Sequence, residues 1–372
     1  MAPFIVVVVA AGFLAFTRPG QTAVATVIFL PQAFPQTGPT PIERVTEPPV
    51  LQEVQIPTGG GSVSADLYRP ASDGPHGALV FYLGIQPVER RDPSVVRLAE
   101  GLARLGLVVL VPELPALYSG KLDPAEIEIL VAAIEFLRRG EDVNPDKIGM
   151  TGFSAGAGLM LLAAEDARVA DKVDWVNSFG GYVDAVGLVR DVLAQEIWLP
   201  DGTRRTWVPE PLSLAAVRRQ LIEALPEPAD RAILLNVFFG TTSTNSTDLV
   251  GLTQDGQTLY RILTATSPAQ VDQLLPTMPA PVVAALHSIS PDRGLDQLQA
   301  YAFVMHDRDD HYIPFTQSRR LAEAMPPDQV HYTEFALFQH VEPTQDLDPI
   351  SFTIEIGRLF GHMYGIFSRA LH

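Results

Sequence analysis

The chain of 372 residues contains no cysteine, and three of its 26 basic residues are lysines. Disulfides, thiolate metal sites and cysteine nucleophiles are therefore excluded, whereas either redox compartment remains open. Positive charge is also scarce, and the net charge of −17 argues against nucleic acids and anionic membrane surfaces as partners. With 47% hydrophobic and 19% charged residues, the composition is typical of a globular protein with a sizeable core.

Apolar runs of the roughly 20 residues that a membrane-spanning helix needs are absent as well. Pro3–Phe16 has fourteen uncharged residues without a preceding Lys or Arg, and Thr22–Phe34 is interrupted by Pro31. Three alternatives remain: a short membrane anchor, an atypical signal sequence, or an apolar arm packed on the protein itself. We expect membrane association through residues 3–34 or a cell-envelope location more than a cytoplasmic one, with residues 1–50 serving as an apolar segment and Pro-rich lead-in.

From residue 51 onward, alternating and apolar runs predict a β-hairpin followed by strands that alternate with helices. This rhythm is typical of right-handed βαβ units, so we expect an α/β protein with a mostly parallel central sheet flanked by helices. The predicted strands are Leu51–Ile56, Ser62–Tyr68, Gly77–Leu83, Leu107–Pro112, Lys147–Thr151, Val173–Phe179, Tyr301–Met305 and Gln329–Leu337. The predicted helices are Pro93–Leu105, Ala125–Arg139, Ala155–Glu165, Thr316–Met325 and Ser351–Ala370.

The alternation of predicted strands and helices stops between residues 183 and 295. Helical pieces such as Leu214–Ala224 and Ala269–Leu275 occur there, separated by polar loops and without strand alternation. We therefore expect a mainly helical insertion above the sheet, with residues 51–182 and 296–372 forming the core. The last helix carries a wide apolar stripe that favours packing on the sheet, with a membrane role as the alternative. The stripe contains Phe352, Ile356, Leu359, Phe360, Met363, Ile366 and Phe367.

The sequence Gly152-Phe-Ser154-Ala-Gly156 has the form G-x-S-x-G, between a predicted strand and a predicted helix. A serine on such a sharp turn needs small residues on both sides, since bulk there would collide with the neighbouring strand or helix. The turn also places the N–H of Ala155, at a helix N-terminus, beside the serine oxygen, where an oxyanion would form. Ser154 is thus the predicted nucleophile; a purely structural glycine-rich turn is the alternative.

A serine nucleophile needs a base and a carboxylate that orients the base, and in a parallel sheet both should follow later strands. The segment 306–311 after strand Tyr301–Met305 reads His-Asp-Arg-Asp-Asp-His. One of its aspartates is the expected acid. A metal site formed by His306, Asp310 and His311 is an alternative, as is a solvated turn.

His340 follows the last predicted strand, which gives the chain order serine, aspartate, histidine expected of this architecture. We predict that His340 is the base. His331 would lie at the opposite edge of the sheet, and His76, His287 and His362 have no comparable setting. A second oxyanion donor should come from the loop Gly84–Pro87, with the N–H of Ile85 as the expected group and an ordinary loop as the alternative.

These motifs resemble the α/β-hydrolase superfamily, in particular its dienelactone hydrolase-like and prolyl-oligopeptidase-like esterase branch. Asn144–Gly156 is similar to that branch's nucleophile turn, and His306–Pro314 to its H-G-x-x-D-x-x-V-P pattern. The second similarity implies that Asp310, rather than Asp309, is the acid. The resemblance covers residues 51–182 and 296–370 and implies an α/β-hydrolase fold, with the insertion as a cap.

Two departures from the family pattern stand out. Asp307 occupies the position of the usual glycine, and Leu83 the position where many relatives have histidine before Gly84. Because the nucleophile is serine and not cysteine, the resemblance implies ester cleavage rather than lactone hydrolysis. We expect a serine esterase that acts on a small-molecule ester without metal or organic cofactor. The alternatives are an acyltransferase, a serine peptidase, or a membrane-tethered binding protein without activity.

Overall fold

The computed structural model describes residues 16–35, 38–85, 89–199, 201–240, 248–341 and 347–372. Its centre is an eight-stranded sheet in the order β1-β2-β4-β3-β5-β6-β9-β10. The β1–β2 and β2–β4 pairs are antiparallel and the remaining pairs are parallel, which confirms the predicted α/β class. The strands are β1 Val50–Thr58, β2 Gly61–Arg69, β3 His76–Tyr82, β4 Val108–Pro112, β5 Val143–Phe153, β6 Trp175–Phe179, β9 Tyr301–Asp307 and β10 Val330–Phe335.

Helices cover both faces of the sheet, and local sequence explains where several begin. The helix Pro93–Arg104 starts with Pro at its first position behind Asp92, whose carboxylate accepts the N–H of Ser94 at 2.9 Å. Asp348 caps the last helix in the same way. The helices outside the β6–β9 connection are α1 Arg18–Phe29, α2 Pro41–Val45, α3 Pro93–Arg104, α4 Pro115–Tyr118, α5 Glu126–Arg138, α6 Ala155–Glu165, α13 Thr316–Ala324 and α14 Pro349–Ala370.

Residues 180–300, here called the intervening segment, connect β6 to β9. They are mainly helical, as expected, but a short antiparallel hairpin also occurs where no strand was predicted. The hairpin was missed because three-residue strands are too short to show alternation in the sequence. The elements are α7 Ala185–Ala194, β7 Glu196–Trp198, β8 Arg204–Thr206, α8 Pro211–Glu223, α9 Pro228–Phe239, α10 Gln254–Leu263, α11 Pro268–Leu274 and α12 Ala280–His287.

The helix α1, formed by most of the second apolar run, packs on α14. The rings of Phe29 and Phe367 meet edge to face with 5.1 Å between their centroids, and both side chains are buried. This part of the N-terminal region therefore behaves as the packed arm among the three alternatives. No helix within the described ranges has the length and apolarity to cross a bilayer. Residues 3–15 of the first run lie outside the described residues.

The helix α14 begins at Pro349, two residues before the predicted start, and its apolar stripe is narrower than predicted. Leu359, Ile366 and Phe367 are buried against the sheet, but Phe352 is 44% exposed.

Candidate active site

Ser154 lies between the end of β5 and the start of α6 in a strained conformation, with φ 54° and ψ −138°. Neighbouring backbone explains why the flanking residues are glycines. A Cβ at Gly156 would lie 1.8 Å from the carbonyl oxygen of Leu83, and one at Gly152 would lie 2.7 Å from Cα of Ala157. The sequence thus folds into the sharp turn that the motif predicted, and it presents a serine that is 7% exposed.

The loop after β3 passes directly over this serine. A Cβ at Gly84 would lie 2.6 Å from Cβ and 3.2 Å from Oγ of Ser154, so only glycine fits there. Ile85, the next residue, borders the same cavity as Ser154 and Ala155. Residues 86–88 of this loop lie outside the described residues. The roles of Ala155 and Ile85 as oxyanion donors stay predictions.

Asp310 is fully buried, and its carboxylate accepts three hydrogen bonds and also contacts a second histidine. Its Oδ1 accepts the backbone N–H groups of Tyr312 (2.7 Å) and Ile313 (3.0 Å). Its Oδ2 lies 2.6 Å from Nδ1 of His340 and 3.1 Å from Nε2 of His306. Burial alone would raise the pKa of Asp310, but the charge of His340 and the hydrogen bonds of both histidines outweigh burial and hold the pKa below its usual range. A carboxylate in this setting stays ionised.

His340 is held from two sides. Its Nδ1 donates to Asp310, and its ring stacks on the ring of Tyr312 with 4.7 Å between centroids. The residue is 2% exposed and has φ 64°, which is unusual for a residue other than glycine. Within the described part of the chain, Nε2 has no hydrogen-bond partner. A general base for a serine requires a ring nitrogen that is free to accept a proton and a carboxylate that orients the ring.

Two consecutive glycines after β6 lie close to these residues. A Cβ at Gly180 would lie 3.3 Å from Nδ1 of His340 and 3.5 Å from Oδ2 of Asp310. A Cβ at Gly181 would lie 3.5 Å from the carbonyl oxygen of Ser154. The structure therefore brings Ser154, Asp310 and His340 to one edge of the sheet, where β5, β6, β9 and β10 all end.

Asp307, Asp309 and Asp310 have different environments, although they lie within four positions of sequence. Asp309 is exposed, whereas Asp307 is buried and accepts the N–H groups of Leu337 (2.8 Å) and Phe338 (2.6 Å). Asp307 therefore bonds to the loop that leads to His340. The sequence analysis noted Asp307 only as a departure from a family pattern and did not predict this contact.

The arrangement does not favour the metal alternative. Both ring nitrogens of His306 contact protein groups, with Nδ1 2.6 Å from Oγ of Ser318 and Nε2 2.9 Å from the carbonyl oxygen of Ile313. His311 uses Nδ1 to bond the carbonyl oxygen of Val208. Among the residues that the structure describes, no group of three His, Asp or Glu side chains is arranged to hold a metal ion.

The remaining histidines lie away from this edge. His362 on α14 is buried, with Nε2 3.1 Å from Oδ1 of Asn177, and burial lowers its pKa to about 3. His331 is near the start of β10, and burial lowers its pKa too. His76 begins β3, and His287 ends α12. These positions give no reason to prefer any of them to His340, whose role as the base stays a prediction.

A mostly apolar cavity of about 80 Å³ opens beside Ser154. Three polar side chains in its wall already have partners in the protein. The hydroxyl of Tyr182 donates to Ile289, that of Ser213 donates to Tyr312, and the Gln220 amide bonds both backbone groups of Leu122. The apolar wall is contributed mainly by the intervening segment, through Ala185, Leu188, Val189, Val192, Leu212, Ala216, Val217, Leu286 and Ile289.

A larger groove of about 650 Å³ lies elsewhere, beside Arg69 and Asp142. It borders the start of β5 at Val143, and therefore the edge of the sheet opposite to Ser154. None of the predicted site residues lines it. The smaller cavity at Ser154 is therefore the candidate active-site pocket, because a cavity and the predicted site residue Ser154 coincide there.

The intervening segment bonds the backbone of the loop that carries Asp310. Nε1 of Trp207 donates to the carbonyl oxygen of Asp310 at 2.7 Å, and the backbone N–H of Glu210 donates to that of His311 at 2.7 Å. Ser213 donates to the next carbonyl, that of Tyr312. The intervening segment thus donates hydrogen bonds to three successive carbonyl groups of the loop between β9 and α13, here called the acid loop. Sequence reasoning missed this contact because nothing local in residues 207–213 signals its partner.

No protein-family model and no curated protein sequence matches the chain. Among solved structures, the 2,6-dihydroxy-pseudo-oxynicotine hydrolase superposes with a TM-score of 0.50 at 14% identity, over 86% of this chain and 68% of that one. The uncomplexed acylaminoacyl peptidase of Pyrococcus horikoshii superposes with a TM-score of 0.51 at 13% identity, over 89% of this chain and 43% of that one.

The sheet order and these superpositions define the class: the chain has the α/β-hydrolase fold. The fold is therefore as predicted. The chain spans less than half the length of the peptidase. Sequence identities of 13–14% support a shared fold and nothing further.

Proposed function

We propose that the protein is a serine hydrolase that cleaves carboxylic esters through Ser154, His340 and Asp310. The observation that carries this proposal is the buried Asp310–His340 pair at the same sheet edge as a strained, glycine-flanked serine. The fold is compatible with this chemistry. Superposed structures include a hydrolase and a peptidase.

In the proposed reaction, Oγ of Ser154 attacks the ester carbonyl while Nε2 of His340 takes its proton. The carbonyl oxygen becomes an oxyanion that accepts hydrogen bonds from the N–H groups of Ala155 and Ile85. The C–O bond to the alcohol then breaks, and His340 returns the proton to the leaving alkoxide. Water repeats the sequence on the acyl-enzyme and releases the acid. Asp310 stays ionised and stabilises the imidazolium.

We further propose that the acyl group is short and apolar, with the intervening segment serving as a cap over it. The polar side chains in the pocket wall have protein partners, so a polar acyl substituent would find few hydrogen bonds there. A cavity of about 80 Å³ is roughly half the size of the 150 Å³ apolar cavity known to hold benzene. We therefore expect acyl chains of about four carbons or fewer to be preferred.

The test is hydrolysis of p-nitrophenyl esters with acyl chains from two to twelve carbons, together with fluorophosphonate labelling. We expect turnover that is highest for the shortest chains, label on Ser154, and loss of both in Ser154→Ala. The exposed Ser288 supplies the control Ser288→Ala, which should behave like the wild type. Turnover that survives Ser154→Ala unchanged would refute the proposal.

Acyl transfer and peptide cleavage are the alternatives on the same fold, and an inactive binding protein is another. A peptidase receives some support from the superposition on the acylaminoacyl peptidase. Adding a competing alcohol to the ester assay reveals transfer as a new ester product. Aminoacyl p-nitroanilides reveal peptidase activity, and an unlabelled wild-type serine would favour the binding protein.

Membrane association through residues 3–34 is a separate proposal, supported by the uncharged run at residues 3–16 in the sequence. The part that the structure describes from residue 18 onward packs on the protein. We therefore assign any membrane contact to residues 3–16. Binding to phosphatidylcholine vesicles by the full chain, but not by a chain that starts at residue 17, is the expected result.

A further inference from the structure

Asp307 is the last residue of β9 and is paired with Phe335, the last residue of β10. It occupies the position where the family pattern has glycine, and its side chain is completely buried. A buried carboxylate that replaces a residue without a side chain requires a structural explanation, because burying a charge is unfavourable unless hydrogen bonds compensate.

Three backbone N–H groups surround this carboxylate. Oδ1 accepts the N–H of Asp309 at 2.9 Å, within the acid loop. Oδ2 accepts the N–H groups of Leu337 at 2.8 Å and Phe338 at 2.6 Å, within the loop that ends at His340. One side chain thus connects the loop of the acid to the loop of the base. A glycine at position 307 would provide none of these bonds.

The loop whose N–H groups donate to Asp307 through Leu337 and Phe338 contains a strained residue. His340, with φ 64°, follows Phe338 by two positions, and a left-handed conformation costs a residue other than glycine about 1 kcal/mol. Such strain persists only where the surroundings hold the backbone in place. The bonds from Asp307 to Leu337 and Phe338 fix the backbone immediately before that position.

We propose that Asp307 is a positioning residue, which holds the histidine loop against the acid loop so that Nδ1 of His340 bonds Asp310 and Nε2 is left unbonded for the proposed reaction with Ser154. Asp307 itself contacts neither substrate nor the reacting atoms. This inference rests on the proposed hydrolase function, since a loop held for catalysis presupposes that His340 is the base.

The electrostatics of Asp307 agree with this role. Burial, opposed by hydrogen bonds from Asp309, Phe338 and Leu337, raises the pKa of Asp307 to about 6, and the charge of Asp309 adds to the increase. At pH 8 the carboxyl group is therefore ionised and accepts all three N–H groups. The protonated form would place an O–H donor among N–H donors, so assays belong at pH 8.

The experiment compares Asp307→Gly, Asp307→Asn and the exposed control Asp309→Asn. We expect Asp307→Gly to lower kcat about 10- to 100-fold with KM changed less than twofold, because the pocket is untouched and only the base is displaced. Asp307→Asn should recover part of the loss, since its amide oxygen can still accept the N–H groups of Leu337 and Phe338. Asp309→Asn should stay within twofold of the wild type.

The rate of fluorophosphonate labelling should fall in parallel with kcat. Wild-type kcat in both Asp307 variants would overturn the inference, as would a loss that merely follows the folded fraction measured by circular dichroism. If Asp307→Gly does not fold, Asp307→Asn carries the same test. Failure of the proposed function is distinguishable, because the wild type itself would then not label at Ser154.

Discussion

The loops at the sheet edge and the intervening segment above them rely on different interactions. At the edge, Ser154 and His340 have strained backbones next to closely packed glycines, and His340 donates a hydrogen bond to the buried Asp310. The intervening segment faces the pocket with aliphatic side chains. Hydrogen bonds fix direction, whereas apolar contacts fix volume. In the proposed reaction, the edge supplies the reacting groups and the segment lines the space for the acyl group.

The largest expected effect comes from replacing the carboxylate of Asp310 at the sheet edge. Asp310→Asn retains the size of the side chain but no longer holds the imidazole in the required tautomer, so we expect kcat to fall about 10³- to 10⁴-fold. Ester hydrolysis and melting temperature should be measured together. The exposed Asp309→Asn in the same loop is the control. A loss below tenfold in a folded Asp310→Asn variant would contradict the assignment of the acid.

A smaller effect is expected where the two regions meet. Trp207→Phe keeps an aromatic ring in the segment but removes the N–H group that donates to the carbonyl of Asp310. A lost hydrogen bond of this kind corresponds to about 1 kcal/mol, so we expect kcat to fall roughly fivefold. Trp198→Phe changes an exposed tryptophan of the same segment and should have no effect. Equal kcat in both variants would mean that the segment does not support the acid loop.

Within the segment, the expected change concerns selectivity rather than rate. Leu286→Ala shortens a side chain in the pocket wall and so enlarges the pocket. We therefore expect the preferred acyl chain to lengthen by about two carbons. Leu259→Ala removes an equally buried leucine that does not line the pocket. Both variants should lose about 2–5 kcal/mol of unfolding free energy. Only Leu286→Ala should change the acyl-chain preference measured with the ester panel. An unchanged chain-length profile in Leu286→Ala would argue against the acyl pocket.

The smallest effect concerns Glu165, the last residue of α6, where this helix contacts the intervening segment. Burial, followed by the charges of Asp292 and Asp296, raises the pKa of Glu165 to about 8. The folded protein then holds this proton more tightly than the unfolded chain, so its stabilising contribution is complete below about pH 4.5 and is lost as pH rises through 8.

Glu165→Gln should therefore weaken the decrease in melting temperature between pH 5 and pH 8.5 by a few degrees. The exposed Glu141→Gln is the control. Identical pH dependence in the wild type and both variants would show that Glu165 is ionised in the folded protein.

The two regions also differ in how far sequence predicts them. Ser154, its strand and its helix are specified by adjacent residues, so the motif alone located the turn. The positions of loops after predicted strands indicated His340 and one aspartate among residues 306–311, and the family resemblance selected Asp310 among them. The contacts of Asp307 and Trp207 join residues 30 and 103 positions apart, and no local pattern encodes such pairs. The pocket wall was unpredictable for the same reason, whereas the hairpin β7–β8 was missed because its strands are too short to show alternation.

The helix α1 has a practical consequence for any study of the N-terminal run. Phe29 fills space against Phe367, and Gln32, also buried, bonds Thr40 through its side chain and Arg97 through its carbonyl. Deleting residues 1–35 would therefore uncover the C-terminal helix and expose apolar surface on the protein itself. Such a shortened chain would aggregate or bind detergent for reasons unrelated to a bilayer. Truncations that stop at residue 16 keep this cover in place and are the informative ones.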